Sequence, residues 1–559
     1  MASKNDHDPM KRNIISLTEQ SFDLLIIGGG ITGACIARDA ASRGLSVALI
    51  EKYDFISATS AAPSKLIHGG LRYLRNFELG LVRESLAERR IWQRIAPHQV
   101  HPLPFLLPAD EKLKRSLGIG LKLYDLLSFD RNRLDDPAQH LDGHKWHDAD
   151  TTRAMEPILE TSDLDGSYTY LDCQMRSPER LGLECLIDAD AHGATLANYV
   201  EAMSFLRNDD GAIAGVEATN RLTNATITIR AQMTLNAAGP WADYLMGMAE
   251  QGEPSHHLLR SKGIHLITKG IVKSHAVTVS VPEEMGGGHL FLLPWRGHTI
   301  FGTTDTAYEG NPDDLEVSEK DIASYLYFIN KAVPGAMLTR RDVLHAYAGL
   351  RPLIADASEP DNPYNASRKA EVVDHEDDGL KGLFSAIGGK WTTSRHVAEK
   401  AVNEIGKRLG RRLPKSKTGS TPLPGGHIDR LEDFFVQAGA DHPKLPHASR
   451  MEIAQTYGSA SDQIFDLMNE NPTLAARFCE DRDEVAAQVI HGIRHEMAQT
   501  LEDIVFRRTG LGTLGDPGEG ALAKAADLMA AELGWDGPRK AQELSDVRRL
   551  FYAEDPQLK

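Results

Sequence analysis

The 559 residues contain no run of about 18 apolar residues, the length a helix needs to cross a bilayer, so no membrane-spanning segment is expected. Cysteine is scarce. Cys35, Cys173, Cys185 and Cys479 are scattered, with no CxxC pair and no metal-ligand spacing. That excludes a disulfide framework and fits free thiols in a reducing compartment. Positive charge is in deficit: 62 Lys and Arg stand against 79 Asp and Glu, a formal net charge of −17. A general nucleic-acid binder is thereby excluded, because a phosphate backbone selects basic surface, whereas a local basic pocket for a small anion is not. No internal repeat is found. The opening "MASKNDHDPMKRNIISLTEQ" lacks the apolar core of a secretory signal, and its acids suit a mitochondrial transit peptide poorly, so residues 1–20 are expected to be a mobile tail.

What remains is an ordinary globular composition, 41% hydrophobic and 25% charged. The length exceeds what one core supports, and two or three domains are expected. The strongest pattern is "FDLLIIGGGITGACIARDAASRGLSVALIEK", residues 22 to 52. An apolar strand ends in Gly28, Gly30 and Gly33, a helix with small residues follows, and a second apolar strand ends in Glu51. Gly28 permits a tight turn, Gly30 lets the backbone approach a pyrophosphate, and Gly33 allows the helix to pack on the strand. The amides of Ile31 and Thr32 open the helix, whose N-terminus favours phosphate. Glu51 stands where a carboxylate can accept from an adenosine ribose. The unit predicts a dinucleotide site and leaves FAD or NAD open.

A second stretch, "SKLIHGGLRYL" (64–74), gathers Lys65, His68, Arg72 and Tyr73 around a glycine pair. Glycine beside a cation lets backbone carry that cation close to a small ligand. The same arrangement recurs at Arg351 in "AGLRP" and Lys390 in "GGK". Guanidinium and ammonium groups in such number suit a phosphate. His265, in "SKGIHLIT", lies on an apolar strand, and an imidazole suits a general base near neutral pH.

With "TSAAPSKLIHGGLRYL" (59–74), "NAAGPW" (236–241), "FGTTDTAYEG" (301–310), "YAGLRPL" (347–353) and "IGGKWTTSRHVAEKA" (387–401), the chain resembles the FAD-dependent, quinone-linked glycerol-3-phosphate dehydrogenases. The likeness is collinear from about residue 20 to "LEDIVFRRTGLG" (501–512). It implies noncovalent FAD, oxidation of sn-glycerol 3-phosphate to dihydroxyacetone phosphate, and a membrane quinone as electron acceptor. It adds flavin contacts at Thr59, Ser60, Ser64, Lys65, Leu66, His68 and Gly69, at Gly239, and at Gly388, Gly389, Lys390, Trp391 and Thr392. It implies substrate contacts from Arg72, Tyr73, His265, Thr303, Thr304, Arg351, Arg368 and Lys390. His265 and Arg351 would be catalytic, with His68 as an alternative base and with base and electrophile not separated. Ala238 stands where the family commonly carries threonine, and Pro63 where small residues are usual. An oxidase using dioxygen, or a non-catalytic flavin sensor, are the competing readings.

The fold so implied is α/β: a Rossmann-like FAD-binding domain interleaved with an antiparallel-sheet substrate domain (21–412), plus a C-terminal helical domain (427–559). The Pro-, Gly- and Ser-rich stretch 413–426 reads as a linker. In 483–508, Val485, Val489, Ile493, Met497, Leu501 and Val505 recur every four residues, which predicts one long amphipathic helix. In 111–133, Leu113, Leu117, Leu121 and Tyr124 share a helical face among Lys112, Lys114, Arg115, Lys122, Arg131 and Arg133, a pattern that suits a membrane interface. Family habit then places the protein in the cytoplasm, peripheral on the cytoplasmic face of the inner membrane, and leaves room for a homodimer.

Overall fold

The computed structural model describes residues 9–160, 164–254, 257–281, 288–353, 370–440 and 442–551. The apolar strand Ser21–Ile27 is buried along nearly its whole length because it lies mid-sheet. It pairs in parallel with Val47–Ile50 on one side and with Ala225–Asn236 on the other. Thr195–Ala197 and Leu383–Ile387 extend the sheet outward, also in parallel. Helices Ile31–Ser42, Pro178–Ala191 and Ser394–Arg408 pack together, burying Ala34, Ala37, Leu181, Cys185, Ala398 and Val402 in one core with the sheet.

The second sheet has ten strands and is mostly antiparallel. Next to one edge of it, Leu259–Lys269, the His265 strand, bonds to Val343–Leu353, the Arg351 strand, on one side and to His298–Gly302 on the other. The chain passes repeatedly between the sheets: Val100–Ala109 and Gly166–Met175 lie in the second, Thr195–Ala197 in the first. The two halves are therefore interleaved, giving the mixed α/β architecture expected. Beyond residue 426 the regular elements among the described residues are helical, and they share a separate core that includes Ile453, Val489, Leu501 and Met529.

Four details differ from the sequence reading. Residues 10–20 are packed rather than mobile: Met10 and Leu17 are buried, and Arg12 donates to Asn198 O at 2.9 Å and Asn220 Oδ1 at 2.7 Å. The stretch 413–426 does not run free, because Arg38 donates to Thr418 O and Thr421 O and Leu423 is fully buried. The long helix of 483–508 is broken. Ala486–His495 ends before Met497, whose φ is +57°. A new turn starts where Thr500 and Asp503 bond each other's backbone amides. Such a reciprocal pair is a helix-start signal, and here it accompanies a break in the apolar stripe. Finally, the predicted lipid face of helix Glu111–Leu127 is split, with Leu113 and Leu117 half-buried at its start and the later part turned inward. Leu121 and Tyr124 are buried, while Ile119, Leu126 and Phe129 are exposed instead.

Candidate active site

Gly28 ends the first strand with φ +114°, and a Cβ there would lie 2.5 Å from Ala237 O. A Cβ on Gly33 would lie 1.9 Å from Gly28 O, so only glycine lets the helix start this close to the strand. Glu51 accepts from the amides of Gly29 at 2.7 Å and Tyr53 at 2.9 Å, and burial pushes its pKa up. Gly28, Glu51 and Tyr53 border a cleft of about 460 Å³. Loop 57–68 closes one wall, stitched by Ser60 Oγ accepting from Ile31 N at 2.9 Å and by Thr59 Oγ1 donating to Leu350 O at 2.6 Å. The turn after Leu383–Ile387 closes another, with Trp391 Nε1 donating to Ser60 O at 3.1 Å and Thr392 Oγ1 accepting from His68 N at 3.2 Å. A 12-residue helix opening on Gly30, a carboxylate at the end of the second strand and glycines that admit backbone to a ligand fit a dinucleotide.

A second cavity of about 870 Å³ meets the first at Ser64, Leu66, His68, Tyr73 and Arg351. His265 stands at this junction, 2% exposed. Its Nε2 bonds Ser64 Oγ at 2.8 Å, and its ring stacks on Tyr347 at 4.8 Å and 12°. Burial, then the charges of Arg351 and Lys65, hold its pKa well below the ordinary histidine value, so the ring is neutral at physiological pH. Arg351 is fixed from three sides: it donates to Thr303 Oγ1 at 2.8 Å, Ser261 Oγ at 3.2 Å and Thr304 O at 3.3 Å. Asp305, which sequence reasoning passed over in "GTTD", accepts from Ser261 and faces Arg351 at 3.6 Å. Lys390 Nζ is buried, has no hydrogen-bond partner among the described residues, and lies 4.8 Å above the Tyr73 ring. Burial lowers its pKa. Arg72 lies over the same Tyr73 ring at 5.0 Å and lines the second cavity with Thr303 and Thr304.

The structure thus brings together nearly all the residues singled out above. Gly33 serves packing, as expected. Lys65 and Gly69 do not face the cleft. Lys65 takes φ +59° and turns its ammonium to Glu179 at 3.3 Å, beneath the Tyr347 and Trp295 rings. Gly69 exists for contact with Leu86 and the Tyr124 hydroxyl, 2.4 and 2.3 Å from where its Cβ would be. Arg368 lies outside the described residues. Lys52, Tyr53 and Asp313, not foreseen, clasp each other at the cleft edge, with Lys52 Nζ and Tyr53 OH donating to Asp313 Oδ1 at 2.6 and 2.9 Å.

Comparison with known proteins agrees with this geometry. Residues 23–402 match the family model of FAD dependent oxidoreductases, and residues 416–540 match the C-terminal domain of alpha-glycerophosphate oxidase. A glycerol-3-phosphate dehydrogenase of Synechocystis sp. is 34% identical over 97% of this chain and 98% of its own. An alpha-glycerophosphate oxidase of Streptococcus pyogenes is 31% identical over 96% of each. Among solved structures, the glycerol-3-phosphate dehydrogenase from Bacillus halodurans complexed with FAD superimposes with a TM-score of 0.77 at 28% identity, covering 98% of both chains.

Proposed function

The chain belongs to the FAD-dependent oxidoreductase family, as an enzyme of its glycerol-3-phosphate dehydrogenase and oxidase branch, and on that premise we propose that it oxidises C2 of sn-glycerol 3-phosphate and delivers the electrons to a membrane quinone. The observation that carries the reading is the junction itself. A neutral imidazole and a fixed guanidinium stand together where the dinucleotide cleft opens into a second cavity. When bound, FAD supplies the two-electron acceptor for the hydride. Neutral His265 takes the C2 hydroxyl proton, and Ser64 with Tyr347 fixes the orientation of its ring. Arg351, held by Thr303 and Ser261, presents a planar cation to substrate oxygen. Arg72 and Lys390 add two further cations, enough to balance a phosphate dianion.

The second cavity favours a quinone over oxygen. Its far end is apolar, formed by Phe77, Leu113, Leu117, Ile119 and Leu123. Around it, Phe77 and Ile119 are 84% and 71% exposed, beside exposed Lys112, Arg115 and Lys122. Apolar side chains ringed by basic ones suit a leaflet with anionic headgroups, here the cytoplasmic face of the inner membrane. No helix among the described residues is long and apolar enough to cross it. The test is anaerobic addition of glycerol 3-phosphate to the yellow protein. Bleaching supports the substrate; a spectrum that stays oxidised sinks it. Reoxidation by a short-chain quinone, faster than by air, supports the acceptor. Stoichiometric hydrogen peroxide without quinone would instead support the oxidase reading, which the named relative from Streptococcus favours.

A further inference from the structure

On the Arg351 strand, residues 345, 347, 349 and 351 lie on one face, as strand alternation requires. Arg351 stands at one end of this row, at the cavity junction. His345, at the other, meets rings that come from beyond residue 500. Its imidazole stacks on Phe506 at 5.8 Å and 25°, and Phe551 lies 6.1 Å away. Phe506 and Phe551 also touch each other, at 5.2 Å. Next along the strand, Tyr347 lies 6.2 Å from His345 and stacks on His265. The five rings therefore form one continuous column from the C-terminal helices to the histidine at the junction.

Two fastenings give this column a definite task. The Tyr347 hydroxyl donates to Pro63 O at 3.1 Å, and the next residue, Ser64, bonds His265 Nε2. The tyrosine ring is thus anchored at its tip to the same loop that orients the histidine. On its remaining side, Tyr347 meets the Lys65 ammonium at 5.3 Å. Loop 510–515 presses on the same strand, where a Cβ on Gly515 would lie 2.8 Å from Leu344 O. His345 contributes no charge, because burial holds its pKa down at about 4.

We infer that the C-terminal helices position the histidine of the junction: Phe506 and Phe551 hold His345, His345 holds Tyr347, and Tyr347 fixes the plane of His265. The inference rests on the reading of His265 as the group that takes the C2 proton. Phe506, Phe551 and His345 are then positioning residues, which touch neither substrate nor cofactor.

The experiment compares flavin-loaded Phe506→Leu, Phe506→Tyr and His345→Gln with the unaltered protein and with His265→Asn. Anaerobic stopped-flow gives the limiting rate of flavin bleaching and the substrate Kd; flavin content and thermal midpoint report the fold. The expected result is a limiting rate lowered at least tenfold in Phe506→Leu and His345→Gln, with Kd within twofold and flavin retained. Phe506→Tyr, which keeps the ring, should recover most of the rate. A crystal structure of Phe506→Leu should show His265 Nε2 moved out of hydrogen-bond range of Ser64. Rates within twofold of the unaltered protein in both leucine and glutamine variants, while His265→Asn is slow, would overturn the inference and leave the role of His265 intact. If His265→Asn itself bleaches at the full rate, the proton-accepting role fails and the inference falls with it. Should Phe506→Leu not hold flavin, His345→Gln decides alone.

Discussion

Gly263→Ala isolates the placement of Arg351 from its presence. Gly263 sits mid-strand opposite Gly349, and its backbone is not in the left-handed region, so alanine is conformationally acceptable there. An added Cβ, however, would lie 2.4 Å from Arg351 Nη2, 2.7 Å from Thr303 Oγ1 and 2.8 Å from Arg351 Cζ. Ordinary contact needs roughly 3.5 Å, so the guanidinium must withdraw by about 1 Å. The strand itself gains from alanine, by roughly 0.5–1 kcal/mol. The loss falls on ligand contacts: a hydrogen bond involving a charged partner contributes about 1.5–3 kcal/mol. At about 1.4 kcal/mol per decade, kcat/KM for glycerol 3-phosphate should fall about 10- to 150-fold. Dye-linked turnover on protein of measured flavin content reads this directly. A rise in KM alone would mean Arg351 grips substrate and transition state alike, whereas a fall in kcat would mean it acts in the transition state. If kcat/KM stays within threefold of the unaltered value with flavin retained, Arg351 does not contact the substrate as argued.

Three further outcomes follow from the same geometry. His265 has its pKa lowered in the fold, so below pH 6.5 the unfolded chain binds a proton that the folded chain resists, and stability is lost as pH falls; the thermal midpoint should drop less between pH 7.5 and 5.5 in His265→Asn than in the unaltered protein. Asp54 is fully buried and receives Arg508 at 2.8 and 2.9 Å and Arg507 at 2.7 Å. Burial alone would raise its pKa, but Arg508 and Arg507 bring it down to about 2. Asp54→Asn leaves two buried guanidiniums short of a partner, at a cost of about 3–5 kcal/mol, and should lower the temperature at which flavin fluorescence appears. Replacing both Phe77 and Ile119 by Asp should reduce co-sedimentation with anionic vesicles while leaving dye-linked turnover within twofold; unchanged sedimentation would place the membrane contact elsewhere.

What was legible in the sequence was whatever is fixed by near neighbours. Gly28 and Gly33 touch across five residues, so their role could be stated from spacing alone. The cations of three glycine motifs, Arg72, Arg351 and Lys390, were grouped from motif and resemblance, and the fold sets them along the two joined cavities. Misreadings arose where the deciding partner is remote. Lys65 stands between residues that border the cleft, yet Glu179, 114 positions on, draws its ammonium the other way. The stripe on residues 485–505 is real, since Val485, Val489, Leu501 and Val505 are buried. Period alone could not show that the helix stops between them. The signal was present as Thr500 and Asp503, three apart, a capping pair hidden inside an apolar repeat. On helix Glu111–Leu127 the apolar face was correctly traced, but a face says nothing about whether lipid or protein covers it.

The short segment 503–508 explains why the C-terminal helices cannot be read as an appendage. Arg507 and Arg508 both reach Asp54, three residues beyond the Glu51 carboxylate that borders the dinucleotide cleft. Phe506, immediately before them, faces the opposite way and stacks on His345 of the Arg351 strand. One turn of chain therefore holds the loop after Glu51 with charge and the Arg351 strand with aromatic contact. The two attachments differ in kind, and so do their consequences. Removing the charged one exposes buried guanidiniums and threatens the fold around the cofactor, whereas removing the aromatic one loosens a ring. Defects in flavin retention and in flavin reduction should accordingly separate between neighbouring residues, 507–508 and 506, although they lie on the same turn.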